Sequence, residues 1–182
     1  DLDESRKNNL KNLANASKKD INDLVVCILD RPRHDEIIAK CREAGARIML
    51  ISDGDVSGII ATSNVQSGVD MYIGIGGAPE GVLAAAALRC IGGQMQARLR
   101  FNNEDEIARA YKLGIKDLDK KYLLTDLASN DSMFAATGVT DGSMLSGVKI
   151  IGEKAYTESI VMRSETGTVR IIKATHNLRV KS

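Results

Sequence analysis

Three short stretches of the chain carry residue types that do chemistry on anions. The first is Gly74-Ile75-Gly76-Gly77-Ala78-Pro79-Glu80-Gly81, a glycine run entering a helix whose first turn carries Pro79. Glycines let a ligand approach the backbone closely. Proline suits a helix start, because its missing N–H would find no partner there anyway. The free N–H groups and the dipole at such a start favour an anion such as phosphate. Glu80 adds a carboxylate at the same point. A carboxylate repels phosphate unless a cation lies between them, so the pairing points to a divalent metal bridging Glu80 and phosphate oxygens. The same spacing also fits a plain tight turn with Glu80 set against the helix dipole.

The second stretch is Asp53-Gly54-Asp55. Two carboxylates around a glycine can chelate a metal or accept hydrogen bonds from sugar hydroxyls. Equally, Asp55 can cap a helix starting at Val56. The third is Arg31-Pro32-Arg33-His34-Asp35. Two arginines held by a rigid proline make a fork for phosphate. A solvated helix start is the plain alternative, but cations there oppose the helix dipole, which favours an anion site. His34 and His176 read as structural or solvated histidines. Ser129 to Ser132 and Ala136 to Gly138 either line a site or are ordinary loops.

Several chemistries are disfavoured. No Ser/His/Asp or Cys/His arrangement is recognisable, so covalent catalysis has no support. The dinucleotide fingerprint fails at its third glycine, where Pro79 stands. No Gly-Lys-Ser/Thr follows the glycine run, which excludes a nucleotide P-loop.

The elements that position these motifs alternate. Leu24–Leu29 and Arg47–Ile51 read as strands buried on both faces, because they are short, apolar and rich in branched residues. Met71–Ile75 reads as a third strand. Helices are expected over Leu2–Ser17, from the Arg31 motif to about Ala44, over Val56–Thr62 and over Gly81–Ile91. Each motif therefore follows a strand, and open α/β sheets bind ligands at the carboxyl ends of their strands. The second half predicts a helix over Glu104–Lys112 and strands over Met133–Val139, Ser159–Arg163 and Val169–Ala174. Tyr122–Leu127 fits either type. The expected fold is α/β: a layered mixed sheet flanked by helices, largely parallel in the first half, with some antiparallel strands in the second. No repeat or linker divides the chain, which is read as one domain.

Composition narrows the function. The 182 residues are 43% hydrophobic and 27% charged, the profile of a soluble globular domain. The net charge of +1 gives no basic bias towards nucleic acid or membrane surfaces, and 3% aromatics with no Trp argue against base stacking. Cys27, Cys41 and Cys90 form an odd, scattered set, which suggests reduced thiols and a cytoplasmic protein. No apolar run is long enough to cross a bilayer. The chain begins at Asp1, inside a predicted helix, so material is expected upstream.

Taken together, the motifs resemble the class II fructose-1,6-bisphosphatases, also called the GlpX type. Ile73–Leu99 (IGIGGAPEGVLAAAALRCIGGQMQARL) is the most specific stretch. Arg31–Lys40 (RPRHDEIIAK), Ile51–Val56 (ISDGDV) and Leu127–Gly142 (LASNDSMFAATGVTDG) follow the family in the same order. The resemblance covers nearly the whole chain and implies hydrolysis of the 1-phosphate of fructose 1,6-bisphosphate, a gluconeogenic reaction, with Mg2+ or Mn2+. Some photosynthetic members also take sedoheptulose 1,7-bisphosphate in the Calvin cycle. It implies that Glu80 is a metal ligand. Arg31, Pro32, Arg33, Asp53, Gly54, Asp55 and the backbone at Gly77 are implied to bind substrate. The family's first basic position is often Lys and is Arg31 here, which keeps the charge and changes the hydrogen-bond geometry.

Family chains are longer, and their N-terminal half carries most of the metal ligands. Residues 1–182 therefore read as the C-terminal domain, with the N-terminal half of the same enzyme as its first partner. The general acid or base is not identified in these residues. The chain alone is expected to be inactive, a sugar-phosphate-binding fragment at most, with an apolar face open to solvent. The intact enzyme is expected to form dimers or tetramers.

Overall fold

The computed structural model describes residues 1–181, with side chains through Arg179. Its organising strand is β1 (Val25–Leu29). β1 pairs in parallel on both edges, with β2 (Arg47–Ile51) and β3 (Met71–Tyr72), giving the order β2-β1-β3. Side chains alternate across a strand. Val26 and Ile28 accordingly enter a core with Leu10, Ala14, Ile38 and Cys41 from helices α1 (Arg6–Ser17) and α2 (Asp35–Glu43). Cys27 turns to the opposite face, towards Gly58 of α3 (Asp55–Ala61). There the missing side chain brings the helix close: a Cβ at Gly58 would lie 3.2 Å from the Cys27 sulfur and 3.3 Å from the Tyr72 ring.

The chain leaves β1 through α2 on one face and leaves β3 through α4 (Ala78–Ile91) on the other. β1 and β3 are neighbours, so their ends flank the crevice where the winding direction reverses. Ligands of open α/β sheets bind in that crevice.

α4 packs against α3 on one side and a second sheet on the other. Ala84, Ala85, Ala87, Leu88 and Cys90 are all buried, as expected of a helix that is apolar on most sides. It closes with Gly92 at φ +83°, whose N–H returns to the Leu88 carbonyl. Beyond α4 lies a four-stranded antiparallel sheet of β6 (Met133–Thr137), β7 (Lys149–Ile151), β8 (Lys154–Arg163) and β9 (Thr168–Asn177). β8 is central. β9 runs along its whole length, while β6 and β7 share its other edge end to end. Phe134, Ile160 and Met162 pack with Ala87, Cys90 and Ile60 as a second core. The layers are helix, parallel sheet, helix, antiparallel sheet. Between α4 and β6 lie α5 (Glu104–Lys112), α6 (Leu124–Leu127) and a small ribbon of β4 (Gln96–Ala97) with β5 (Tyr122–Leu123).

Several elements differ from their expected form. α1 starts at Arg6 rather than Leu2, because the Ser5 side chain accepts the Asn8 N–H at 3.1 Å and fixes the cap there. The sequence of β2 predicts burial, yet Met49 and Leu50 are 40% and 42% exposed. It is an edge strand with one neighbour. β3 stops at Tyr72, with one further ladder bond from Ile73 N–H to the Cys27 carbonyl. Tyr122–Leu127 is both types in succession. β6 ends at Thr137, and β8 and β9 are longer than expected. β7 has no counterpart among the expected strands. All three cysteines are free and buried, and burial raises each thiol's pKa. No helix among the described residues is long and apolar enough to cross a membrane.

Candidate functional site

The three motifs meet at the carboxyl ends of the parallel strands, and hydrogen bonds tie them together. Pro32 opens a single 3-10 turn, Pro32–His34, directly after β1. Arg31 reaches sideways: one terminal nitrogen donates to the Asp30 carbonyl at 2.8 Å and the other to the Ser52 carbonyl at 2.6 Å. It thereby joins the β1 end to the β2 end. Arg33 reaches the other way, its Nε donating to the Ile75 carbonyl at 2.8 Å. That leaves its two terminal nitrogens without a protein acceptor among the described residues.

His34 is fully buried. Its Nδ1 pairs with the Leu29 carbonyl at 2.8 Å, and its Nε2 accepts the Ile75 N–H at 2.8 Å. A ring that donates on one side and accepts on the other is the neutral Nδ1–H tautomer. His34 thus braces β1 against the turn after β3, a structural role in keeping with its expected one. His176 lies exposed on β9, far along the chain from this face, with its Nε2 3.0 Å from the Thr157 hydroxyl.

Ser52 and Asp53 form the bend after β2, and Gly54 follows. Gly54 has φ +74°, a left-handed conformation that costs glycine little. This corrects the capping alternative for Asp55. Gly54 occupies the cap, and Asp55 is the first helical residue, its carboxylate accepting only the adjacent Val56 N–H at 3.0 Å. The other Asp55 oxygen lies against Gly76, 3.1 Å from where a Cβ would be.

The turn Gly74–Gly77 collects these groups in chain order. The Tyr72 hydroxyl lies 2.9 Å from a Cβ position on Gly74. Arg33 and His34 bind the backbone of Ile75. The Asp55 carboxylate faces Gly76, and the Glu80 carboxylate folds over Gly77 so closely that any Cβ there would collide with it. Gly77 caps α4 without a side-chain acceptor, so the first N–H groups of a 14-residue helix open onto this turn beside Pro79 and Glu80. Arg31, Arg33, Asp53, Gly77 and Glu80 are exposed, and Asp55 is half-buried. The face combines backbone N–H donors at the head of α4, the three carboxylates of Asp53, Asp55 and Glu80, and one guanidinium with free nitrogens.

Tyr72 does not stand out in the sequence. Burial raises its pKa to about 12, reinforced by Asp55 and Cys27 and opposed by Arg33. The only local signal is a glycine two residues after an aromatic on a strand, where the ring needs room. The bracing by His34 is equally invisible in the sequence, since its partner Ile75 lies 41 residues away.

Comparison with known proteins decides the family. The profile of the bacterial fructose-1,6-bisphosphatases, glpX-encoded, matches residues 1–176. The chain belongs to that family. Among curated relatives, the D-fructose 1,6-bisphosphatase class 2/sedoheptulose 1,7-bisphosphatase of Crocosphaera subtropica is 40% identical over 189 aligned residues. The protein of the same name in Synechococcus elongatus is also 40% identical. Each alignment takes in 97% of this chain and 55% of the relative. The chain therefore spans about half the length of these curated relatives.

Proposed function

We propose that the enzyme containing this chain hydrolyses the 1-phosphate of fructose 1,6-bisphosphate to fructose 6-phosphate, with Mg2+ or Mn2+ as cofactor. One observation carries the reading: Arg33, Asp55 and Glu80 converge on the Gly74–Gly77 turn at the head of α4. The names of the relatives support it and extend it to sedoheptulose 1,7-bisphosphate as a second substrate.

The residues divide the work by charge. Arg33 grips the distal phosphate, which orients the sugar and takes no part in bond breaking, while Arg31, tied to the Asp30 and Ser52 carbonyls, adds its charge to the same end of the sheet. Asp53 and Asp55 accept hydrogen bonds from sugar hydroxyls. Glu80 holds a divalent cation at the mouth of α4. When bound, such a cation neutralises phosphoryl oxygens and lowers the pKa of the attacking water.

Hydrolysis joins the oxygen of water to phosphorus and breaks the bond from phosphorus to the oxygen on C1, which takes up a proton given by the water and leaves as the C1 hydroxyl. The donor set fits a cation only in part. No group of three or more His, Cys, Asp or Glu able to hold a metal exists among the described residues. Mg2+ sites normally complete one or two carboxylates with waters and substrate phosphates. This incomplete set favours a second reading for the 182 residues taken alone, as a part that binds a sugar phosphate and does not turn it over.

Phosphate release from fructose 1,6-bisphosphate with Mn2+ tests both. The full-length enzyme is expected to be active, and Glu80→Gln to lose about a hundredfold or more, since charge stabilisation by a metal is worth several kcal/mol. Full activity of Glu80→Gln would remove the metal role from Glu80. Turnover by the 182-residue chain alone would overturn the second reading.

A further inference from the structure

The Gly74–Gly77 turn has one polar neighbour with no assigned role. Tyr72 is the last residue of β3, and its ring runs from Gly58 of α3 towards Gly74, along the strand and out to the carboxyl end of the sheet. The hydroxyl is therefore delivered to the same edge as Arg33, Asp55 and Glu80. It makes no hydrogen bond among the described residues; the ring is half-buried, and the hydroxyl is not sealed away with the buried polar atoms, so it opens to the crevice. Here the carboxylate of Asp55 and the guanidinium of Arg33 are the charged groups that act on it. The remaining titratable neighbour is the buried Cys27 thiol.

We propose that the Tyr72 hydroxyl is a further ligand-contacting group of this site, a neutral donor to a phosphoryl oxygen of the sugar phosphate held by Arg33. The inference rests on the reading of the turn as a sugar-phosphate site. Three features favour the phosphoryl group as the acceptor. Hydrogen bonds to an anion are about twice as strong as neutral ones. Arg33 has terminal nitrogens to share the same anion. With its pKa held near 12, the phenol keeps its proton at any physiological pH and presents no charge to repel phosphate. The absence of a side chain at Gly74 then matters directly, since a Cβ there would meet the phenol at 2.9 Å and push it out of the crevice.

The composition offers a direct test. The chain has four tyrosines and no tryptophan, so tyrosine fluorescence is unobscured. The hydroxyls of Tyr111, Tyr122 and Tyr156 make no hydrogen bonds among the described residues. A triple variant with Tyr111→Phe, Tyr122→Phe and Tyr156→Phe therefore leaves Tyr72 as sole tyrosine fluorophore in an intact fold. Inorganic phosphate and fructose 6-phosphate are each titrated into it, and calorimetry measures binding of both to the parent and to Tyr72→Phe. Saturable change in Tyr72 emission with both ligands is expected, and about ten- to a hundredfold weaker binding by Tyr72→Phe, the effect of one hydrogen bond to a charged group. Emission that responds to fructose 6-phosphate alone would overturn the phosphoryl assignment. Fructose 6-phosphate binding with silent Tyr72 emission and an unaffected Tyr72→Phe would overturn the inference and leave the site standing. Binding of neither ligand to the parent would overturn the site reading and the inference with it.

Discussion

A Cβ on Gly77 would collide with the Glu80 carboxylate, whereas one on Gly138 would collide with the backbone carbonyl of Ser146. Both glycines are sterically required, but the obstacles differ in kind. A carboxylate at the end of a flexible side chain can swing away. A backbone carbonyl in a packed loop cannot. In the parallel half, glycine makes room for chemistry. In the antiparallel half, it makes room for the chain itself. Exposure follows the same division. At the strand ends of the parallel sheet the exposed groups are arginines and carboxylates. On the antiparallel sheet they include Met133, Ile150, Ile151, Val169, Ile171 and Ile172.

The sharpest way to break this contrast is to add one methyl group to each half. Gly138→Ala should destabilise by about 3 kcal/mol, the upper range for overpacking, and lower Tm by many degrees. Gly77→Ala should keep nearly the parent Tm but bind fructose 6-phosphate more weakly, as the displaced Glu80 carboxylate disturbs the turn. Equal loss of stability in both variants, read by thermal melting, would erase the distinction.

The next contrast removes side chains. Ile28, fully buried in β1, should cost about 3 kcal/mol when changed to Ala. Ile171, 52% exposed on β9, should cost less than about 1 kcal/mol under the same change. Denaturant midpoints of the two variants check this. A large loss at Ile171 would mean that β9 is covered in solution.

The smallest expected effect lies where the chain's start meets the middle of the sequence. Asp3 accepts hydrogen bonds from Lys121 and Arg98, which lower its pKa from 3.8 to about 2. A depressed carboxylate stabilises the fold above its ordinary range and loses that contribution as pH falls through about 2. Asp3→Asn should therefore melt slightly below the parent at neutral pH, with the gap closing between about pH 4 and 2. A gap that widens in acid would reverse the sign and remove the ion pairs as its cause.

How much of this is legible in the sequence depends on how far each signal reaches. The β1 sequence, Val25–Leu29, is apolar at every position, and it is indeed covered on both faces. Arg47–Ile51, apolar at every position after Arg47, also reads as buried, yet β2 is half-open, because a run of apolar residues does not say whether it has a second neighbour. β7 escapes because three residues carry no periodicity. The site motifs are visible because each follows its strand within a few residues. The roles of Tyr72 and His34 are not, since one acts through a glycine's empty space and the other through a backbone amide 41 residues away. The cap at Gly54 is hidden for a related reason: aspartate is the commoner cap, but only glycine tolerates the left-handed turn at little cost.

α4 joins an open first turn to a sealed body, and this sets a gradient of amide hydrogen exchange along one helix. The N–H groups of Ala78 and Glu80 have no intrahelical acceptor and should exchange with solvent almost freely. Those of Ala85 to Leu88, in the part of the helix packed against α3 and the antiparallel sheet, should exchange only when the whole domain opens. An anion at the turn would slow the first group and leave the second unchanged unless it raised global stability. A single helix thus carries two clocks, one set by occupancy of the site and the other by the lifetime of the fold.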